Sequence, residues 1–332
     1  MLTNFFQLMR NLLQHISYIL AGILILMVPT CVAAQRHRLP ECATYSYVER
    51  DSALYLDVYR PDNPRADRAA VITLFGGGFF AGARNNQHQK ETARALLQRG
   101  FTVISIDYRL GLKDTEMVKA NSTLFKATGL FRYCIDIAVE DCAAAVAWVY
   151  SNADMLDIDP SRIILTGSSA GAITVLQLDY CRSNSLPEAS ALPSGWKPAA
   201  VIPYSGGIMC RKHDLKYATD PAPTMLMHGK KDRIVNYKSF GMPLSSKLFG
   251  AKKVDKAMNR QDIAHWFIRF DGIGHEVANW LPGSIDLFCS FADLTLAGRV
   301  TSLDANMTDS NLQPTRWTNM NMLQLYGGAR IR

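Results

Sequence analysis

The pentapeptide Gly167-Ser168-Ser169-Ala170-Gly171 lies between Arg162–Thr166 (RIILT) and the apolar stretch Gly171–Leu178. A short β-branched apolar run bounded by glycine reads as a buried strand, and the longer apolar stretch after it reads as a helix. The pentapeptide therefore has to turn the chain from strand to helix within a few residues. Glycine at both ends lets the backbone pass close to its neighbours where a side chain would collide. Such a turn lifts the Ser169 hydroxyl off the end of the sheet and aims the positive end of the next helix beside it. The alternative is a tight turn carrying an inert serine. Ser168 offers a second hydroxyl but lacks the symmetrical glycine flank.

The rest of the chain repeats the strand–helix alternation. Its 332 residues suffice for one large α/β domain or two small ones. Leu54–Tyr59 alternates apolar and polar positions up to Pro61 and is expected to be an antiparallel edge strand. Ala70–Phe75, Phe101–Asp107, Ala199–Tyr204, Thr224–His228 and Trp266–Phe270 are further strands. His88–Arg99 and Asp136–Tyr150 carry helical periodicity. Alternation of this kind predicts a mostly parallel sheet covered by helices on both faces. Residues 110–135 interrupt it with mixed polar and aromatic sequence, and are read as an insertion near the strand tips, a candidate lid. Residues 299–332 show no period. No internal repeat or low-complexity block is present.

Composition excludes a disordered chain, with 48% hydrophobic and 20% charged residues. The net charge of +7 comes from scattered lysines and arginines, without the dense run of a nucleic-acid footprint. Arg10 is the only charged residue before Arg36, and the run ILAGILILMV lies between them. Val32 and Ala34 supply the small side chains that a signal peptidase reads, so residues 1–34 are expected to be a cleaved secretory signal. A retained membrane anchor over residues 11–34 and a lipid-modified Cys31 are the alternatives, although Thr30 is a poor residue before such a cysteine. The domain plan is then 1–34 signal, 35–298 globular domain and 299–332 extension. Six cysteines remain after cleavage: Cys42, Cys134, Cys142, Cys181, Cys210 and Cys289. In an exported chain some of these are expected to pair, by any of 15 connectivities. Their spacing fits no zinc site.

A serine hydroxyl needs a base to take its proton. Among the seven histidines, His275 stands just after a predicted strand, in Gly272-Ile273-Gly274-His275, where glycines free the loop to return over the turn. His228 is the main rival, while His213 and His265 have no comparable setting. The base needs an acid that fixes its tautomer and stabilises its charged form. Asp232, in His228-Gly229-Lys230-Lys231-Asp232, is the candidate, with Asp271, Asp214 and Asp220 as alternatives. Gly76-Gly77-Gly78 follows the strand Ala70–Phe75. Bare backbone there can bring amides close to a developing oxyanion. Gly77, Gly78 and Ala170 are the candidate donors.

Phe75-Gly76-Gly77-Gly78-Phe79, Asp107-Tyr108-Arg109-Leu110, Gly167-Ser168-Ser169-Ala170-Gly171, and His228-Gly229 with Asp232 and then His275 together resemble the α/β-hydrolase superfamily. Within it they look like the carboxylesterases similar to hormone-sensitive lipase and to bacterial acetyl and feruloyl esterases. The resemblance spans roughly Tyr45 to Phe291. It implies the α/β-hydrolase fold, with a mostly parallel sheet of about eight strands. It also implies Ser169 as nucleophile, His275 as base, Asp232 as orienting acid, and no metal or organic cofactor. The implied substrate is a small or carbohydrate-linked ester, with acetyl or aromatic acyl groups, met outside the cytoplasm. Nucleic acid is not an expected partner, and a membrane only through the N-terminus. One departure matters. Such esterases usually carry histidine before the glycine triplet, where this chain has Phe75, which leaves open what holds that loop. A peptidase or acyltransferase with the same three residues, and a non-catalytic binding protein on this scaffold, are the competing readings.

Overall fold

The computed structural model describes residues 42–113, 124–210, 214–241 and 246–327. In chain order its strands are β1 (Cys42–Glu49), β2 (Ala53–Tyr59), β3 (Ala70–Leu74), β4 (Thr102–Ile106), β5 (Ile163–Ser168) and β6 (Ala200–Tyr204). They continue with β7 (Gly207–Cys210), β8 (Thr224–Gly229), β9 (Ser239–Gly241), β10 (Lys247–Gly250), β11 (His265–Phe270) and β12 (Leu303–Met307). The longer helices are α1 (Gln87–Leu97), α2 (Leu124–Ser151), α3 (Ala170–Ser183), α4 (Ala251–Asn259) and α5 (Ile285–Leu296), and a short α6 covers Met322–Gly327.

Nine strands form one sheet in the order β1-β2-β4-β3-β5-β6-β8-β11-β12. β2 pairs antiparallel with both β1 and β4, and every later pairing is parallel. β3, β4, β5, β6 and β8 are buried at every position. Strands without a polar face need cover on both sides. α2 packs on α3 on one side, while α1 packs on β3 and β4, and α5 on β6. α3 buries all but one of its residues, as a helix apolar on nearly every side must. α1 starts at a side-chain cap, the Asn86 carboxamide oxygen accepting from the Gln89 amide at 2.9 Å. Arg109 and Arg50 satisfy the fully buried Asp141 at 2.9 and 3.2 Å, tying the end of β4 to α2.

Two expectations change, and a stretch the sequence left open gains a strand. Leu54–Tyr59 does not form the edge, because β1 pairs outside it. The end of the predicted insertion is the first half of α2, which begins at Leu124; residues 114–123 lie outside the described set. The C-terminal stretch supplies β12, parallel to β11, so it belongs to the sheet. The described residues form one compact unit.

None of the six described cysteines is in a disulfide, contrary to the pairing expected of an exported chain. Cys134, Cys142, Cys181, Cys210 and Cys289 are buried as small apolar side chains, while Cys42 is exposed. The Tyr180 hydroxyl and the Cys210 sulfur share a hydrogen bond at 3.5 Å, and the Gln177 amide reaches the Cys181 sulfur at 3.6 Å. The predicted signal segment 1–34 lies outside the described residues. Among the described residues no helix is long and apolar enough to cross a membrane.

Candidate active site

The carboxyl ends of parallel strands gather loops at one edge of the sheet, where open α/β sheets bind ligands. Four such loops matter here. β3 runs into Gly76–Gly78, β5 into Ser169, β8 into Asp232 and β11 into His275. β3 and β5 are neighbours, with Leu74 opposite Gly167, so the glycine loop lies beside the serine turn. β8 and β11 are neighbours too, which brings the acid and histidine loops together.

Ser169 has φ 51° and ψ −111°, outside the regions that serine favours. Such a conformation costs on the order of 1–3 kcal/mol and persists only when its surroundings impose it. Here the Ser169 amide donates to the Tyr204 carbonyl at 3.0 Å, and the Ser169 carbonyl accepts from Ile173 at 2.9 Å. The flanking glycines are required by space. A Cβ on Gly167 would stand 2.5 Å from the Gly171 carbonyl carbon, and one on Gly171 would stand 2.4 Å from the Leu74 oxygen.

The structure brings Ser169, His275 and Asp232 into one hydrogen-bonded line. His275 Nε2 lies 2.8 Å from Ser169 Oγ, and His275 Nδ1 lies 2.8 Å from Asp232 Oδ2. Asp232 is buried, and its other oxygen accepts from the amides of Ile234 and Val235 at 3.0 and 3.1 Å. Burial pushes the Asp232 carboxyl up. The charge of the adjoining His275 and hydrogen bonds from two imidazoles outweigh this and hold it well below the usual carboxylate range. His228 is the second imidazole. It is fully buried, with Nε2 2.9 Å from the Val235 carbonyl and 3.3 Å from Asp232 Oδ2. A nitrogen facing a carbonyl must carry the proton, so Nε2–H is the donor, while Nδ1 has no hydrogen-bond partner among the described residues.

The remaining candidates lie elsewhere. His265 bonds to Asp255 and to the Ile263 carbonyl. Asp271 pairs with Lys230, and Asp214 pairs with Arg260. The Asp220 carbonyl accepts from Arg182. His213 falls outside the described residues. Ser168 Oγ is 3.1 Å from the Asn279 side-chain oxygen, away from the imidazole line.

Gly77 and Gly78 have φ of 138° and 62°, and a Cβ on Gly77 would stand 1.9 Å from the Ala81 oxygen. Among the described residues no acceptor takes their amides. Ala170 is the first residue of α3, a position whose amide has no intrahelical partner. Phe75 does not do what a histidine would at that position. Its ring stacks on Tyr108 with centroids 4.4 Å apart, and the Tyr108 hydroxyl donates to the Phe75 carbonyl at 2.7 Å. Tyr108 thus anchors the start of the glycine loop, and its place in Asp107-Tyr108-Arg109-Leu110 was the signal that could have found it. A cleft of about 450 Å³ opens over Ser169, lined by Gly77, Phe80, His88, His275 and Trp317 among others. Burial lowers the pKa of the His88 imidazole, opposed by Glu91. No group of three or more His, Cys, Asp or Glu side chains among the described residues could hold a metal ion.

Fold and site define a class: a parallel sheet whose carboxyl edge carries a serine turn, an imidazole, a carboxylate and a bare glycine loop. The chain has the α/β-hydrolase fold. The model of the carboxylesterase family matches residues 27–186. Lipase 2 from Moraxella sp. (strain TA144) is 32% identical over 105 residues, covering 32% of this chain and 20% of that protein. Para-nitrobenzyl esterase from Bacillus subtilis (strain 168) is 26% identical over 137 residues, covering 41% of this chain and 26% of that one. The chain thus spans only about a fifth to a quarter of these two relatives' own length. Among solved structures, native esterase 2 from Thermogutta terrifontis aligns over 79% of this chain and 95% of its own, with a TM-score of 0.53 and 19% identity. That likeness establishes the fold.

Proposed function

We propose that this chain is a serine carboxylesterase that hydrolyses acyl esters through an acyl-serine intermediate. The observation that carries the proposal is the hydrogen-bonded line from Ser169 Oγ through His275 to Asp232. Ser169 Oγ attacks the ester carbonyl carbon while its proton passes to His275 Nε2. The carbonyl oxygen becomes an oxyanion within reach of the amides of Gly77, Gly78 and Ala170. The carbon–oxygen bond to the alcohol then breaks, and the alcohol leaves with the proton held by His275. Water repeats the sequence on the acyl-serine, giving up a proton to His275 and releasing the acid and free Ser169. Asp232 stays ionised throughout, holding His275 in the tautomer with Nδ1–H and stabilising its charged form.

The carboxylesterase family match and the esterases among its relatives support the same chemistry. The finer reading is an exported enzyme removing acetyl or aromatic acyl groups from carbohydrate. It draws on the apolar run with small residues before Gln35 and on the family resemblance. A fluorophosphonate probe should label wild type at Ser169 and leave Ser169→Ala unlabelled. Short-chain p-nitrophenyl esters and acetylated xylan should be hydrolysed by wild type alone. A well-folded wild type that takes no label and cleaves no ester refutes the proposal. Mature secreted protein whose N-terminus is not Gln35 refutes the expected cleavage.

A further inference from the structure

The stretch from Thr315 to Tyr326 bonds to the histidine, acid and glycine loops of the site and lines the cleft over Ser169. The amide and hydroxyl of Thr315 and the hydroxyl of Thr318 donate to Glu276 Oε1 at 2.7, 2.8 and 2.7 Å. Glu276 Oε2 accepts from the Gly274 amide at 2.9 Å. Both neighbours of His275 are therefore tied to this stretch through one carboxylate. Asn321 bridges to Arg233, next to Asp232, and the Met322 amide donates to the Arg233 carbonyl at 3.1 Å. Trp317 and Leu325 line the cleft over Ser169. Finally, the Tyr326 hydroxyl donates to the Gly78 carbonyl at 3.0 Å. The Tyr326 ring meets Phe80 and Phe131 edge-on, with centroids 5.7 and 6.2 Å apart.

The Gly78 carbonyl is informative because of what it orients. Gly77, Gly78 and Phe79 all have positive φ, a run of backbone with no side chain of its own at the two glycines to hold it. The Gly77 carbonyl accepts from the Phe80 and Ala81 amides and the Phe79 carbonyl from Leu112, which leaves the Gly78 carbonyl between them to be held from outside the loop. Tyr108 pins the Phe75 carbonyl at the start of the loop, and Tyr326 pins the Gly78 carbonyl at its end. The amides between those two anchors are the ones offered to the oxyanion. Burial also raises the Tyr326 phenol, which keeps it a donor.

We infer that Tyr326, carried on a C-terminal strap formed by residues 315–326, is a positioning residue that holds the oxyanion loop in its catalytic geometry. This rests on the serine esterase reading. It predicts a strap that acts on the rate of the chemical step more than on substrate binding, since a pinned loop serves the transition-state oxygen. Tyr326→Phe removes a single oxygen and keeps the ring packing. It should lower kcat for p-nitrophenyl acetate by about tenfold, with KM within about twofold of wild type. Inhibition by an aryl trifluoromethyl ketone, which forms an oxyanion on Ser169, should weaken by the same factor. Amide hydrogen exchange across residues 76–82 should quicken in the variant, and this can be read whether or not the enzyme turns over. An unchanged kcat, or a loss that falls on KM instead, overturns the inference. Unchanged exchange in an active enzyme also overturns it. A wild type inert toward esters removes the esterase reading itself and the catalytic role with it, and the exchange difference then still reports whether Tyr326 holds the loop.

Discussion

Asp232 works against its burial. A carboxylate shut away from water becomes neutral unless enough donors face it. Here Oδ1 takes two amides, while Oδ2 takes His275 and lies near the protonated nitrogen of His228. The folded pKa lies below the unfolded one, about 3.9. Its contribution to stability is therefore complete above that pH and is lost as pH falls through the depressed folded value. From neutral pH down to about 4, Asp232 should stay ionised, so no loss of kcat/KM in that range comes from its protonation. Asp232→Asn should lower kcat by on the order of 10³–10⁴ at every pH in that range, because an amide stabilises the wrong imidazole tautomer. A pH–rate profile of both proteins checks this. His228 has a different task. It supplies a donor to the Val235 carbonyl and a second contact to the carboxylate. His228→Leu leaves both without it inside the core, so urea unfolding should show a loss of about 1–3 kcal/mol.

The serine turn is an element whose parts are adjacent in sequence, and for that reason it was legible there. RIILT, two glycines and an apolar helix occupy one continuous stretch, and each part demands the next. Gly171→Ala tests the spatial half of that logic. The added methyl would meet the Leu74 carbonyl, which is backbone and cannot swing aside. The variant should lose about 1–3 kcal/mol on unfolding, and its labelling by fluorophosphonate should slow as α3 shifts away from β3. The same adjacency explains what the sequence hid. β12 reads LDANM and is largely exposed, so it carries no apolar alternation, and only its parallel register with β11 makes it a strand. β1 pairs across a bulge between Ser46 and Val48, which displaces the edge outward from Leu54–Tyr59. The Tyr326–Gly78 contact joins residues 248 apart, and no local pattern can announce such a pair. His275 and Asp232 were within reach because each follows a recognisable strand, and the order serine, acid, histidine restricts the choice.

For the whole molecule, the sharpest question is what the buried thiols do. Small exported domains often need cross-links because their cores are thin. This chain instead carries a nine-stranded sheet with five fully buried strands, and its buried cysteines sit on α2, α3, β7 and α5. Burial pushes the Cys134 and Cys181 thiols up to about 12, and raises Cys142 and Cys289 as well. A thiol with a raised pKa yields little thiolate, and thiolate is the form that oxidises and alkylates. Cys42 alone among the described cysteines is exposed. Native protein beginning at Gln35 should therefore take up one equivalent of maleimide, at Cys42, and the other five thiols should react only after unfolding. Reductant should leave the melting temperature unchanged, whereas breaking a structural disulfide would cost about 2–5 kcal/mol. If unfolded, unreduced protein has fewer than six reactive thiols, pairs do form, against the six free thiols of the structure.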